Sequence, residues 1–425
     1  MMDIISQNDV DFFIDHIKES KLNELGTKIW YDSHDRLQKL NQQATLDASE
    51  GREEYIKDQL ISYGKVPIIV HEAICVAIWR EKVLPELLCI IPNPTQSFTL
   101  YFILFHETVA VGLLQKILFH EEGVQSLGSY ALDLFDHVIF AVTHIAIGYI
   151  LNTNNFQIGS KINDMSVVDE IIEHKHKIQF EVGICCIGIM FNMLLHIKNL
   201  SLSVTTRMTT NNDVPMLICQ LLNVKPWIKL ENKKKYIFQD NSWKIMDETN
   251  NIIPKQEAHL WLGLHEFFTS EQLRNSYEIT QFRKKNLMQL QQLLNDCLLD
   301  QIPPLIHLKQ CLYRLSLTEV STGFKRPLIM ELNAEIRPTI LNTYTKQWKK
   351  IARAQMAYLF GNDSYDVAKS LSETYEHIDH FEAKENICAH CRQPAKNRCS
   401  KCKKQWYCSR KCQVTNWDRH KTICQ

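Results

Sequence analysis

Residues 388-CAHCRQPAKNRCSKCKKQWYCSRKCQVTNWDRHKTIC-424 place eight soft metal ligands in 37 positions: Cys388, Cys391, Cys399, Cys402, Cys408, Cys412, His420 and Cys424. The spacing is C-x2-C-x7-C-x2-C-x5-C-x3-C-x7-H-x3-C. Eight ligands make two sets of four, the coordination number of structural zinc. So short a segment has too little apolar surface to fold by burial alone, so metal binding has to replace a core. Ser409 is expected to cap a turn that carries Cys408 to Cys412. His420 and Cys424, four apart, are expected on one helix face. Each such pair can chelate one ion, with the CxxC knuckles supplying the other ligands.

With all eight positions filled, the segment resembles a MYND zinc finger. The resemblance implies a cross-braced ligand set. Cys388, Cys391, Cys408 and Cys412 would hold one zinc, and Cys399, Cys402, His420 and Cys424 the other. Both shells would be closed by protein, which leaves no position for a catalytic water. The family also implies that Gln413 and Trp417 help bind short proline-containing peptides; they stand at i and i+4. The competing reading of Trp417 is a ring that fills the miniature core. His390 reads as a bystander.

Charge divides the chain. Residues 388–425 carry ten Lys/Arg and one acid, Asp418. Seven thiolates and two zinc ions bring that to about +6. The whole chain carries 48 bases and 48 acids, which leaves 38 and 47, or −9, for residues 1–387. A basic finger on an acidic body suits an acidic protein partner better than nucleic acid, whose phosphates the body repels.

The body is expected to be helical. Apolar residues make up 45% of the chain, enough for a core, and 13 glycines in 425 residues are well below the usual ~7%. Cysteines outside the finger (Cys75, Cys89, Cys185, Cys186, Cys219, Cys297, Cys311) show no framework spacing. They read as reduced thiols of a cytosolic or nuclear protein. The N-terminus has no signal-type apolar core. The apolar runs 138–151 and 182–197 fall short of ~18 residues and read as buried helices.

In chain order, three- and four-residue periodicity predicts helices between Val10 and Ser62, and over 68–83, 107–119, 129–151, 167–173 and 178–200. Residues 97–105 read as β-like, a short apolar run that a helix would also fit. The segment 211-NNDVPMLICQLLNVKPW-227 looks like the third helix of an armadillo-type repeat. Residues 235–247 alternate about a polar turn and predict a hairpin. Further helices are expected over 255–270, 277–299, 304–315, 338–360 and 364–379, with a loop at 322–327. The expected class is all-α, an armadillo- or HEAT-like solenoid. The expected divisions are 1–205, 206–380 with the hairpin, a linker at 381–387, and the finger at 388–424.

No catalytic constellation stands out. There is no GxxxxGK[ST] and no HExxH. Glu173, His174 and His176 read as a solvated helix segment, and His71, His137 and His144 as core histidines. The chain is expected not to be an enzyme.

Beyond the finger, Trp30, 34-HDRLQKLNQQATLDA-48, 64-GKVP-67, Trp79, Val83-Leu84-Pro85, 212-NDVPMLICQLL-222, the hairpin around Trp243 and Trp261-Leu262 resemble the MYND-finger dynein axonemal assembly factors. That resemblance implies a cytoplasmic adaptor or co-chaperone scaffold, with a pool near centrioles or the cilium base. It would serve preassembly of axonemal dynein arms, and so cilium motility. Its implied partners are a leucine-rich-repeat assembly factor reached through the finger, an FK506-binding-type prolyl isomerase, heat-shock chaperones, and dynein heavy and intermediate chains as clients. Nucleic acid and membrane are not expected partners. The alternative is a nuclear co-repressor adaptor that uses the finger to bind proline-containing peptides.

Overall fold

The chain divides into two compact units, Met1–Ser364 and Tyr365–Gln425, described separately. The computed structural model describes residues 4–92, 94, 97–150, 166–231, 233–246, 252–318 and 333–361 of the first, and 388–391, 395, 397–399, 405–421 and 424 of the second.

The first unit is all-α apart from one small sheet. Its helices are α1 (Gln7–Asp15), α2 (Lys28–Glu50), α3 (Tyr55–Ser62), α4 (Val66–Lys82), α5 (Leu84–Ile90), α6 (Phe98–Ile117), α7 (Glu121–Gln125), α8 (Ala131–Ile150) and α9 (Val167–Leu195). They continue with α10 (Leu202–Thr206), α11 (Val214–Val224), α12 (Lys255–Thr269), α13 (Glu271–Ser276), α14 (Gln281–Leu290), α15 (Asp296–Gln301), α16 (Leu305–Leu317), α17 (Ile336–Thr343) and α18 (Trp348–Leu359). Local chemistry sets many ends. The side chains of Thr27, Ser166, Thr280 and Asn295 cap α2, α9, α14 and α15. Gly51, in the left-handed region, closes α2.

The hairpin is present, with one more strand than the alternation showed. Strands β1 (Ile228–Glu231), β2 (Lys234–Gln239) and β3 (Ser242–Ile245) form an antiparallel meander. Asp240 and Asn241 both have positive φ, 50° and 56°, as a two-residue primed turn requires. Phe238 and Trp243 pack on Phe180 of α9, which ties the sheet to the helices.

Four helix expectations are corrected. Residues 97–105 are not β-like but open α6. A helix buried all round loses its amphipathic stripe, so a short apolar window cannot be told from a strand. The separate helices at 167–173 and 178–200 are one rod, α9. The single helix over 277–299 is broken into α14 and α15, because Asn295 recaps the chain. The helix over 338–360 splits into α17 and α18, with Lys346 at φ 64° between them. The expected loop at 322–327, helix at 364–379 and linker at 381–387 lie outside the described residues.

Among the described residues, three helical segments, 98–117, 128–148 and 167–195, are long and apolar enough to cross a membrane, contrary to the shorter runs read from sequence. In this fold 67%, 72% and 67% of their apolar windows are buried inside the protein itself. The α6 helix packs on α2, α4 and α9, and α9 on α8 and α12. These helices therefore form the core of the unit. The chain also returns on itself, with α17 on α4 and α18 on α5. A strictly one-dimensional stack has no such closure.

Gln355 of α18 is the keystone of that return. Fully buried, it accepts a hydrogen bond from Trp79 Nε1 (2.8 Å) and donates to the carbonyls of Leu22 (3.0 Å) and Leu25 (3.3 Å). Beside it, Gly26 has φ 86°, and a Cβ there would lie 2.5 Å from Leu359 Cδ2. Gln355→Ala strands an indole N–H and two carbonyls away from water. It is expected to destabilise the unit by about 2–3 kcal/mol in urea unfolding. A change below about 0.5 kcal/mol would show that the clasp does not close the fold.

Candidate metal centre

The second unit builds its ligands on two tiny elements and two turns. Strands β4 (Asn397–Arg398) and β5 (Trp406–Tyr407) pair antiparallel, and Ala389 N–H donates to Trp406 O at 2.9 Å, setting the first knuckle beside β5. Ser409 then caps α19 (Arg410–Thr415) by accepting from Cys412 N–H at 3.4 Å, which fixes Cys408 against Cys412. A break at Asn416 leads to α20 (Trp417–His420). Here the expected shared helix face is corrected: α20 ends at His420, and Cys424 lies beyond it. Cys424 still lies with Cys399 and His420.

Two ligand clusters result, each with its donor atoms within 4.8 Å of one another: Cys388, Cys391, Cys408 and Cys412; and Cys399, His420 and Cys424. Cys402, expected in the second set, lies outside the described residues. Cys391 Sγ is 3.4 Å from Cys408 Sγ, which is 3.4 Å from Cys412 Sγ. Cys399 Sγ is 3.9 Å from Cys424 Sγ and 3.3 Å from His420 Nε2. A tetrahedral zinc with bonds of about 2.3 Å to sulfur and about 2.05 Å to nitrogen sets ligand edges near 3.8 and 3.5 Å. The observed edges match that shell and are far too long for disulfides.

The electrostatics also call for a cation. Burial pushes the Cys388 thiol up, but N–H groups of Cys391, Cys408 and His390 outweigh it and hold it down at about 6. A hydrogen bond with the adjacent Cys412 thiol pushes Cys408 up. Donor type, edge lengths and a favoured thiolate all fit zinc. His390 is exposed and outside both clusters. Glu173, His174 and His176 form no such cluster among the described residues; His174 meets Glu170 at 3.4 Å and the edge of Tyr101.

The remaining core consists of Cys388, Ala395, Cys399, Tyr407 and Cys424. Tyr407, not Trp417, fills it. The Tyr407 hydroxyl donates to Gln405 Oε1 at 3.0 Å, and Asn416 Nδ2 donates to both, at 3.2 and 3.4 Å. Sequence reading missed this triad, which braces β5 against the α19–α20 break; Gln405 and Tyr407 at alternate positions around Trp406 were its one local sign. Trp417 remains 41% exposed, edge-on to His420, and Gln413 is half-buried.

A helical unit joined to a Cys/His finger with two clustered ligand sets defines a MYND-type zinc finger protein, and the MYND finger family pattern matches residues 388–424. The chain is 30% identical to the zinc finger MYND domain-containing protein 10 homolog of Drosophila melanogaster, over 100% of this chain and 99% of the fly protein. It therefore belongs to the zinc finger MYND domain-containing protein 10 family. Ubiquitin C-terminal hydrolase 15 of rice and ubiquitin carboxyl-terminal hydrolase 15 of Arabidopsis thaliana match over 39 and 40 residues, at 56% and 52% identity. Those matches cover 9% of this chain and 4% of each hydrolase. No solved structure matches.

Proposed function

We propose that the protein is a non-enzymatic cytoplasmic adaptor for preassembly of axonemal dynein arms. The observation that carries this reading is the end-to-end match to a MYND-finger protein, over 100% of this chain and 99% of that protein, so that body and finger recur together. The zinc ions would be structural, since a shell filled by four protein ligands has no place for substrate or water. The finger would grip a proline-containing segment of a leucine-rich-repeat assembly factor through Gln413 and Trp417. The helical unit would meet dynein heavy and intermediate chains beside heat-shock chaperones and an FK506-binding-type prolyl isomerase.

The exposure of Trp417 supports the grip, because a ring that held the finger together would be buried. Trp417→Ala is expected to retain two zinc ions per chain, by elemental analysis, and to weaken capture of the assembly factor by tenfold or more, about 1.4 kcal/mol. The wider reading is tested by affinity purification with mass spectrometry from tissue building motile cilia. Recovery of dynein chains supports it. Recovery of chromatin proteins with steady nuclear enrichment would replace it with the co-repressor role.

A further inference from the structure

From Arg337 to Gly361 the chain contains five cations and no acid, within a 387-residue stretch whose net charge is −9. Four of them, Lys346, Lys349, Lys350 and Arg353, are exposed at the start and along the outer face of α18. Among the described residues none of the four meets a carboxylate. Elsewhere in the unit many cations do: Lys39 with Asp35, Arg80 with Glu107, Lys225 with Glu257, Arg283 with Asp213, and Arg337 with Glu81.

These charges do not serve the helix itself. Lys349 and Lys350 stand in the first turn of α18, where the helix dipole disfavours cations. Like charges at positions 349 and 353 also repel across a turn. The opposite face is fixed by Ile351, Ala352, Leu359 and the Gln355 clasp, so the cations sit on a rigid platform. Ala354 and Ala357, exposed on the same side, let another backbone approach closely.

We propose that this face of α18 is a docking surface for an acidic peptide segment of a partner protein. The spacing at 346, 349, 350 and 353 matches carboxylates repeating every three or four residues along an acidic helix. A short peptide suits the patch better than a long polyanion. Screening confines attraction to about 8 Å at physiological salt, and beyond that reach the acidic body opposes phosphates of nucleic acid or lipid. The surface is distinct from the peptide site of the finger and does not depend on it.

The test uses the full zinc-loaded chain and a fluorescein-labelled, Glu/Ala-rich helical peptide of about 20 residues, read by anisotropy. Binding is expected, weakening as salt rises. The triple variant K349A/K350A/R353A should bind at least about tenfold more weakly, and K349E/K350E/R353E weaker still, down to what the basic finger alone attracts. Neither should lower the melting temperature, because the side chains are exposed and oppose the helix dipole. Trp417→Ala and zinc-chelated protein should bind as wild type does. The proposal is overturned if the triple variants bind unchanged, or if chelation abolishes binding, which moves the site to the finger. Tighter binding of single-stranded RNA or phosphatidylserine vesicles through the same three residues would also overturn it.

Discussion

Chelating zinc from the full chain is expected to melt the finger while the helical unit stays folded. Apart from its cysteines, the finger's buried cluster offers, among the described residues, only Ala395 and Tyr407, with Trp406 packed alongside. That is far too little to order 37 residues. Ligand binding of roughly 10–16 kcal/mol in apparent free energy is what holds such a peptide. The first unit draws on nothing from the metal, since its core is the α4–α6–α9 stack. Far-ultraviolet dichroism should therefore fall only slightly with chelator, while amide protons of 388–424 lose protection from exchange. Cys408→Ser should act likewise by removing one of four ligands, taking zinc content below two per chain. Persistent amide protection after complete chelation would refute the metal-for-core argument.

The finger was legible because its information is local. Ligand spacing names the donors, Ser409 announces the cap, and chain geometry does the rest. The helices were legible where one face is wet. They failed where burial is complete, as at Phe98–Phe105. They failed too where leucine periodicity ran across a break, as at Asn295. What no window reveals is pairing at a distance. Gln355 meets Trp79 across 276 positions, and Asp133 Oδ1 accepts from the backbone N–H groups of Glu335 and Ile336 at 2.8 and 2.7 Å across 202 and 203. His106 is the middle of such a buried chain. Its Nδ1 lies 2.8 Å from His34 Nδ1 and its Nε2 3.2 Å from Glu72. Burial and His106 lower His34 well below the usual imidazole value, so its ring is neutral, and the ring it meets rests on the Glu72 carboxylate.

The next residue along α6 carries the larger stability effect. Glu107 is fully buried and bonded to the Arg80 guanidinium of α4, itself 4% exposed, with His137 Nε2 3.5 Å from its other oxygen. Burial, with Arg80 and Arg337 nearby, holds His137 at about 3, so it is neutral and cannot replace the lost countercharge. Glu107→Ala leaves the buried guanidinium without its hydrogen-bonded carboxylate and with only the nearby charge of Glu81, while burial already lowers Arg80 to about 10. Breaking such a pair from one side costs about 3–5 kcal/mol, whereas replacing both partners with apolar groups of similar volume is often neutral. The expected result in urea is thus a large loss for Glu107→Ala and recovery of most of it in Arg80→Met/Glu107→Leu. Equal destabilisation by the single and double variants would mean that the pair adds specific attraction rather than compensating its own desolvation. A single variant within about 1 kcal/mol of wild type would mean that water reaches the guanidinium and the pair is not truly buried.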